Sequence, residues 1–122
     1  MLPGFTLKQL QEKMGYTFKD VTLLEKALTH SSYANERKIN KIDNYERLEF
    51  LGDAVLELVT SEFLYHENPE MPEGQLTKLR ASYVCEPPLA LCAKSLDLGS
   101  YLFLGRGEAS TGGRGRSSVI CD

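Results

Sequence analysis

Four acidic side chains recur at intervals of three and four residues in the middle of the chain: Glu46, Glu49, Asp53 and Glu57. At about 100° per residue, a helix would place all four within an arc of about 80°. Like charges four residues apart repel, and a divalent cation such as Mg²⁺, which takes a few carboxylates and completes its shell with water and phosphate, would relieve that repulsion. The spacing therefore suggests a metal site, with a solvated acidic helix face as the alternative.

The composition places these acids in a single globular domain. The chain has 122 residues, of which 42% are hydrophobic and 25% charged, as in ordinary globular proteins of one domain. Residues 1–40 and 74–122 each carry six basic against four acidic residues, whereas residues 41–73 carry nine acidic against two basic ones. This distribution does not suit a domain that grips nucleic acid through a broad basic face.

Other features point to a cytoplasmic protein with reduced thiols. No apolar run approaches the ~18 residues that a membrane helix needs, and the first residues lack the pattern of a secretory signal. Cys85, Cys92 and Cys121 are odd in number and match no zinc motif. We expect no membrane partner, and we expect the cysteines to be small buried hydrophobic residues.

Periodicity and capping signals predict an all-α domain. Thr6 to Gln9 has the form of a capping box and Gly15 that of a helix stop, and Asp20 is a plausible N-cap. The predicted helices cover about 7–14, 21–28 and 45–65, a fourth segment marked by Leu76, Leu79 and Tyr83, and a fifth running from Pro87 to a stop at Gly99; residues 35–44 are predicted to be a polar loop.

The end of the chain is rich in glycine and arginine. We interpret residues 105–115 as a flexible, basic surface loop that could touch RNA phosphates, because the strand and the Gly-Lys-Ser/Thr sequence of a P-loop are missing. Residues 117–122 have the pattern of an N-cap and the first turn of a helix. A single turn is not stable alone, so we expect the chain to be a piece of a longer protein.

The helix that carries the acids has two further faces of interest. Its opposite side is predicted to form the core stripe, made of Leu48, Leu51, Val55, Leu58 and Val59. Phe50 falls on the acidic side, where an apolar ring has no intramolecular purpose, and we interpret it as an anchor for a partner subunit. His30 is interpreted as a structural hydrogen-bonding residue rather than a catalytic base.

Residues 46–56, Glu-Arg-Leu-Glu-Phe-Leu-Gly-Asp-Ala-Val-Leu, closely resemble the nine-residue signature of the ribonuclease III family. Residues 27–33, 73–80, 104–108 and 112–114 match other family segments in the same order, so that the resemblance covers essentially the whole chain. It implies an all-helical nuclease domain that forms a homodimer. It also implies cleavage of double-stranded RNA with Mg²⁺, or with Mn²⁺ as a substitute, in the processing of structured RNA precursors.

Carried over residue by residue, the resemblance assigns metal binding to Glu49, Asp53 and Asp122, with Asp53 also catalytic. Glu46 and Glu73 match a second tier of acids near the same valley. The family pattern continues Asp-x-x-Glu after the aspartate matched by Asp122. The resemblance thus implies that this chain lacks one ligand, the closing helix and the C-terminal double-stranded-RNA-binding domain of standard bacterial members.

Three functions remain open on the sequence. The first is a metal-dependent double-strand-specific endoribonuclease, favoured because Glu46, Glu49, Asp53 and Glu73 are all present. The second is a dimerising, RNA-binding domain of the nuclease type that does not cleave. The third, an acidic helical interaction module without a nucleic-acid role, holds only if the motif match is dismissed.

Overall fold

The computed structural model describes residues 1–37 and 44–122, and these residues form an all-α fold, as the sequence predicts. Within them there is no strand, only an isolated parallel bridge between Thr29 and Phe103. The helices are α1 (Leu7–Met14), α2 (Val21–Ala27), α3 (Ser31–Arg37), α4 (Glu46–Glu67), α5 (Glu73–Tyr83), α6 (Glu86–Ser95), α7 (Leu98–Tyr101), α8 (Arg106–Ser110) and α9 (Ser117–Ile120), with a 3₁₀ turn at Gly113–Gly115.

The predicted starts of the first two helices are confirmed. The backbone N–H of Gln9 donates to Thr6 Oγ1 at 3.2 Å, and the N–H of Thr6 donates to Gln9 Oε1 at 3.0 Å, which completes the capping box. Gly15 ends α1 with a φ of 69°, a conformation that glycine adopts without strain. Asp20 caps α2 by accepting from the N–H of Thr22 at 3.1 Å.

The hydrophobic core lies between the N-terminal helices and the C-terminal half of the chain. Its buried members are Leu10, Leu24, Leu28, Ala90, Ala93, Tyr101, Leu102, Leu104, Val119 and Ile120. The short helix α9 packs on α6, and the burial of Val119 and Ile120 supplies the stability that a single helical turn lacks by itself.

The predicted core stripe of α4 is wrong. Leu51, Val55, Leu58 and Val59 are 52–67% exposed, and Leu48 is only half-buried. The core is closed by the other helices, so α4 lies at the edge of the fold, where Leu64 is its one buried residue. We call the outward row Leu51, Val55, Leu58, Val59 and Phe63, which is 60% exposed, the apolar face of α4.

The glycine- and arginine-rich segment is ordered, contrary to the predicted loop. It forms α8 and the 3₁₀ turn. The Arg114 guanidinium donates to the carbonyl oxygens of Gly99 at 3.0 Å and Leu102 at 2.7 Å, and Arg116 pairs with Glu108. Arg114 holds the segment against the core, whereas Arg116 is exposed and links residues within the segment.

Three other predictions need correction or fall outside the structure. Asn35 to Arg37 belong to α3 rather than to a loop, and the rest of that predicted loop up to Asp43 lies outside the described residues. Helix α6 ends at Ser95, before the predicted stop at Gly99, which instead lies buried within α7.

The cysteines are also more exposed than expected. Cys85 and Cys92 are exposed and Cys121 is half-buried, and all three are free thiols. The first two lie near and within α6, on the side that faces away from the core. In the parts of the chain that the structure describes, no helix is both long and apolar enough to span a membrane.

Candidate active site

The first turns of α4 and the end of the chain enclose a pocket of about 220 Å³. The three predicted metal ligands all line it, together with one aromatic residue, one thiol and several apolar side chains. The carboxyl groups are those of Glu49, Asp53 and Asp122, and the other lining residues are Ala27, Tyr45, Leu48, Gly52, Leu56, Leu89 and Cys121. Residues 69 positions apart in sequence thus meet in one site.

Local hydrogen bonds fix the start of α4. Asn44 Oδ1 accepts from the N–H of Glu46 at 2.9 Å, and the N–H of Tyr45 donates to the carbonyl oxygen of Thr29 at 3.0 Å. Thr29 also bridges to Phe103, so the acidic helix begins at a point tied to the core. Asp122 follows α9, whose anchored side chains hold the other wall of the pocket.

The surroundings of Glu49 disfavour its ionised form. Burial raises the pKa of Glu49, and the charges of Asp122 and Asp53, together with a hydrogen bond to Asp122, raise it further. Burial and then the charge of Asp122 likewise raise the pKa of the Cys121 thiol. Carboxylates that resist ionising together are stabilised by a cation bound among them.

The donor set fits a hard divalent ion. Within residues 1–37 and 44–122, no three His, Cys, Asp or Glu side chains converge closely enough to enclose a metal ion. Mg²⁺ usually keeps several waters and takes only one or two carboxylates plus substrate phosphate. Carboxylate oxygens spread around an open pocket suit that coordination better than the closed cage of a structural metal site would.

The sequence interpretation missed Tyr45. Its side chain is only 6% exposed, its ring meets that of His30 edge to face at 5.7 Å, and it lines the pocket with the carboxyl groups. Burial raises the pKa of its phenol, and the charges of Asp122 and Glu49 add to that shift. Its position directly before the acidic motif was the available signal.

His30 has the predicted structural role. Its Nδ1 lies 2.7 Å from Ser32 Oγ and accepts from the backbone N–H of Ser32 at 3.1 Å. The backbone N–H of His30 donates to the carbonyl oxygen of Phe103 at 3.0 Å. The imidazole therefore organises the start of α3 beside Tyr45.

The second-tier acids do not join the pocket. Glu46 is exposed at the first turn of α4, near enough to contribute to the raised pKa of Glu49. Glu73 lines a different cavity of about 260 Å³ between α4 and α5, with Ser61 and Arg80. The expectation that Glu73 shares the valley is not met within one chain, because α5 packs against the far half of α4.

Phe50 is 83% exposed, as its place on the helical wheel predicts. It lines an open, largely apolar depression of about 520 Å³ with Asp53, Glu57 and residues of the α5–α6 region. Glu57 contacts this depression and not the carboxylate pocket. The acidic arc of four residues is therefore divided, with Glu49 and Asp53 on the pocket side.

Comparison with known proteins identifies the family. A family model described as Ribonuclease-III-like matches residues 20–122. Ribonuclease 3 of Enterococcus faecalis is 54% identical over 114 residues, covering 93% of this chain and 50% of that protein. Ribonuclease 3 of Natranaerobius thermophilus is 59% identical over 114 residues, covering 93% and 49%. The chain spans about half the length of these curated relatives.

A solved structure agrees with the sequence comparison. The nuclease domain of ribonuclease III from Campylobacter jejuni, described as flexible in a region involved in dimer formation, superposes with a TM-score of 0.86. It is 42% identical in sequence, and the match covers 95% of this chain and 77% of that one. With its fold, its pocket and its relatives in agreement, this chain belongs to the ribonuclease III family.

Proposed function

We propose that this chain is the nuclease domain of a metal-dependent endoribonuclease that hydrolyses phosphodiester bonds in double-stranded RNA. The observation that carries the proposal is that Glu49, Asp53 and Asp122 line the same pocket. The relatives named Ribonuclease 3 support the reaction class. Processing of structured RNA precursors is the role we assign to it.

The three carboxylates would hold Mg²⁺, with Mn²⁺ as a substitute, and Asp53 would be the catalytic one. Divalent ions supply activation of water for in-line attack and stabilisation of the leaving oxygen. Burial and the charge of Asp122 raise the pKa of Glu49, and a bound cation would favour its ionised form. Asp53 is exposed and presents its carboxylate at the mouth of the pocket, where a phosphodiester would arrive.

The site suits recognition of duplex RNA by its shape and backbone rather than by its base sequence. The acids between residues 41 and 73 would repel a polyanion until cations reverse the local field. An A-form duplex is recognised mainly through its shape, its phosphates and its 2′-hydroxyl groups. A shallow pocket on the outer edge of the fold suits a substrate that approaches along a surface.

A homodimer belongs to the same proposal. Exposed apolar patches of this kind are unusual on a protein that remains monomeric, and the apolar face of α4 and Phe50 are both uncovered. The related nuclease domain from Campylobacter jejuni has a region involved in dimer formation. Two subunits would provide two pockets, one for each strand of the duplex.

We also assign the protein to the cytoplasm. Cys85, Cys92 and Cys121 are all free, and free thiols persist in reducing compartments. Fractionation of cells that express the protein, with immunodetection in each fraction, tests this location.

The experiment for the proposed reaction compares this chain with a version extended past Asp122, which we expect to read Asp-x-x-Glu. Both are incubated with end-labelled duplex or single-stranded RNA in Mg²⁺ or in EDTA. Duplex cleavage by the extended version that requires Mg²⁺ would support the endonuclease. Duplex binding without cleavage would support the non-cleaving alternative, and neither binding nor cleavage would exclude both. Isothermal titration with Mg²⁺ alone tests the metal site independently of activity.

A further inference from the structure

Tyr45 combines burial with an unused hydrogen-bond donor. Its side chain is 94% buried, being only 6% exposed, yet it lines the pocket beside Glu49 and Asp122. Its hydroxyl makes no hydrogen bond to any residue that the structure describes. Among the described residues, no fully buried side-chain oxygen lacks a partner, so the hydroxyl of Tyr45 reaches solvent, where it is available to a ligand that enters the pocket.

The chemistry of the lining restricts what that ligand can be. The carboxyl groups of the pocket act as acceptors when ionised, and most other lining side chains are apolar. The remaining thiol, Cys121, is a weak donor. The phenol of Tyr45 is thus the one strong side-chain donor among the described lining residues. A phosphodiester in this pocket, whose oxygens only accept, would complete a hydrogen bond with it.

We propose that the hydroxyl of Tyr45 is a substrate contact of the site, donating a hydrogen bond to a non-bridging oxygen of the phosphate that is cleaved. This inference rests on the proposed function and adds a residue to its site. The ring is held by His30 and the backbone by Thr29, so the donor is placed before substrate arrives. Preorganised donors of this kind stabilise the charge that develops in the transition state.

The dependence of the cleavage rate on Mg²⁺ concentration distinguishes this role of Tyr45 from an indirect one. If the phenol instead oriented the carboxylate of Asp122, its removal would weaken metal binding and excess Mg²⁺ would restore the rate. A contact to the phosphate acts on the chemical step. Its removal therefore lowers the rate at saturating Mg²⁺ and leaves the Mg²⁺ concentration for half-maximal activity unchanged.

The test uses Tyr45→Phe in the version extended past Asp122, with Tyr16→Phe as the matched control, because Tyr16 is 57% exposed and lies outside the pocket. We expect single-turnover cleavage of duplex RNA by Tyr45→Phe to fall about 10- to 100-fold, the usual effect of losing one hydrogen bond to a charged group. Duplex affinity should stay within about twofold, since other phosphate contacts dominate it. Tyr16→Phe should behave as wild type. Thermal midpoints of both variants report on folding.

A second measurement keeps the proposal testable should Tyr45→Phe fold poorly. Sulfur replaces each non-bridging oxygen of the cleaved phosphate in turn, and the wild-type protein is assayed in Mg²⁺ and in Mn²⁺. We expect one position to slow cleavage in both ions, as a lost hydrogen bond would, and to add little further loss in Tyr45→Phe. Sulfur effects that Mn²⁺ relieves fully at both positions would overturn the proposal, as would a Tyr45→Phe rate equal to that of Tyr16→Phe, or one restored by excess Mg²⁺. Failure of the wild-type protein to cut duplex RNA would instead overturn the proposed function itself, and with it the contact.

Discussion

The carboxylate of Glu36 accepts a hydrogen bond from the backbone N–H of Arg106 at 2.7 Å, and its other oxygen accepts from that of Gly107 at 3.1 Å. The side chain of Glu36, on α3, thereby caps the start of α8, 70 residues later in the chain. Ser32 Oγ adds a third link by accepting from the N–H of Gly105 at 2.9 Å. Hydrogen bonds to side chains of α3 therefore hold the start of the glycine-rich segment that leads to Asp122.

The two hydrogen bonds that the Glu36 carboxylate accepts predict a pH-dependent loss of stability in Glu36→Gln. The backbone donors, with that of Arg106 first, lower the pKa of Glu36 in the folded protein. At pH values above the pKa of an unfolded glutamate, about 4.3, the charge of Glu36 therefore stabilises the folded protein. This stabilisation is lost as the pH falls through the lower pKa that Glu36 has in the folded protein. We expect the variant to melt a few degrees below wild type at neutral pH, and this difference to shrink below about pH 4. Glu25→Gln, an exposed control, should melt as wild type at both pH values; a difference independent of pH would contradict the role of the charge.

Asp53→Asn in the version extended past Asp122 should abolish most cleavage. The substitution keeps the size and one oxygen but removes the charge that would hold a divalent ion, so the rate should fall by about three orders of magnitude or more. Duplex binding and the thermal midpoint should change little, because Asp53 is exposed and loses only repulsive neighbours.

Glu57→Gln is the matched control for Asp53, since Glu57 lies on the same helix but outside the carboxylate pocket. Single-turnover cleavage should stay within a fewfold of wild type. Equal losses in the two variants would mean that the acidic face acts only as a diffuse field, and the assignment of Asp53 as a specific ligand would be wrong.

Phe50→Ala should shift the protein from dimer toward monomer. An exposed aromatic ring that fills a partner's pocket is typically worth a few kcal/mol, so the dimer dissociation constant should rise on the order of tenfold or more. Sedimentation velocity over a concentration series measures it. Leu91→Ala removes an equally uncovered apolar side chain, 70% exposed on α6, and should leave the dimer intact; equal shifts in both variants would remove any special role of Phe50.

Gly99→Ala should destabilise the fold. A Cβ at this position would lie 2.1 Å from the carbonyl oxygen of Arg114, so the backbone itself must move, at a cost of about 1–3 kcal/mol or more. At Gly74, on α5, an added Cβ meets nothing within 4 Å. Gly74→Ala should lose no stability and can gain up to about 1 kcal/mol. Urea denaturation of both variants measures the difference, and equal stability would mean that the close approach at Gly99 is not maintained in solution.

The sequence predicts helix ends correctly where they depend only on neighbouring residues. The capping box of Thr6 and Gln9, the left-handed Gly15 and the cap at Asp20 each depend on residues within a few positions. The family motif predicts Glu49, Asp53 and Asp122 as metal ligands, and the structure places all three residues on one pocket; their role as ligands stays a prediction.

Predictions that depend on contacts between residues far apart in the sequence are less accurate. A helical stripe such as Leu51, Val55 and Leu58 shows that one face avoids water, but not whether its cover comes from the same chain. The glycines of residues 105–115 suggested flexibility, whereas some of them permit the close packing that Glu36 and Arg114 secure. The position of Tyr45 before the acidic motif is a weak signal, because only the fold brings this residue to the pocket that the carboxyl groups line.

Helix α4 has two functional faces: Glu49 and Asp53 lie on one, and the exposed apolar face lies on the other. Whatever covers the apolar face restricts the motion of the same backbone that positions Glu49 and Asp53. By thermodynamic reciprocity, the factor by which ion binding changes that association equals the factor by which the association changes ion binding. The proposed metal site and the proposed subunit interface would thus share one coupling free energy, while each keeps its own intrinsic affinity.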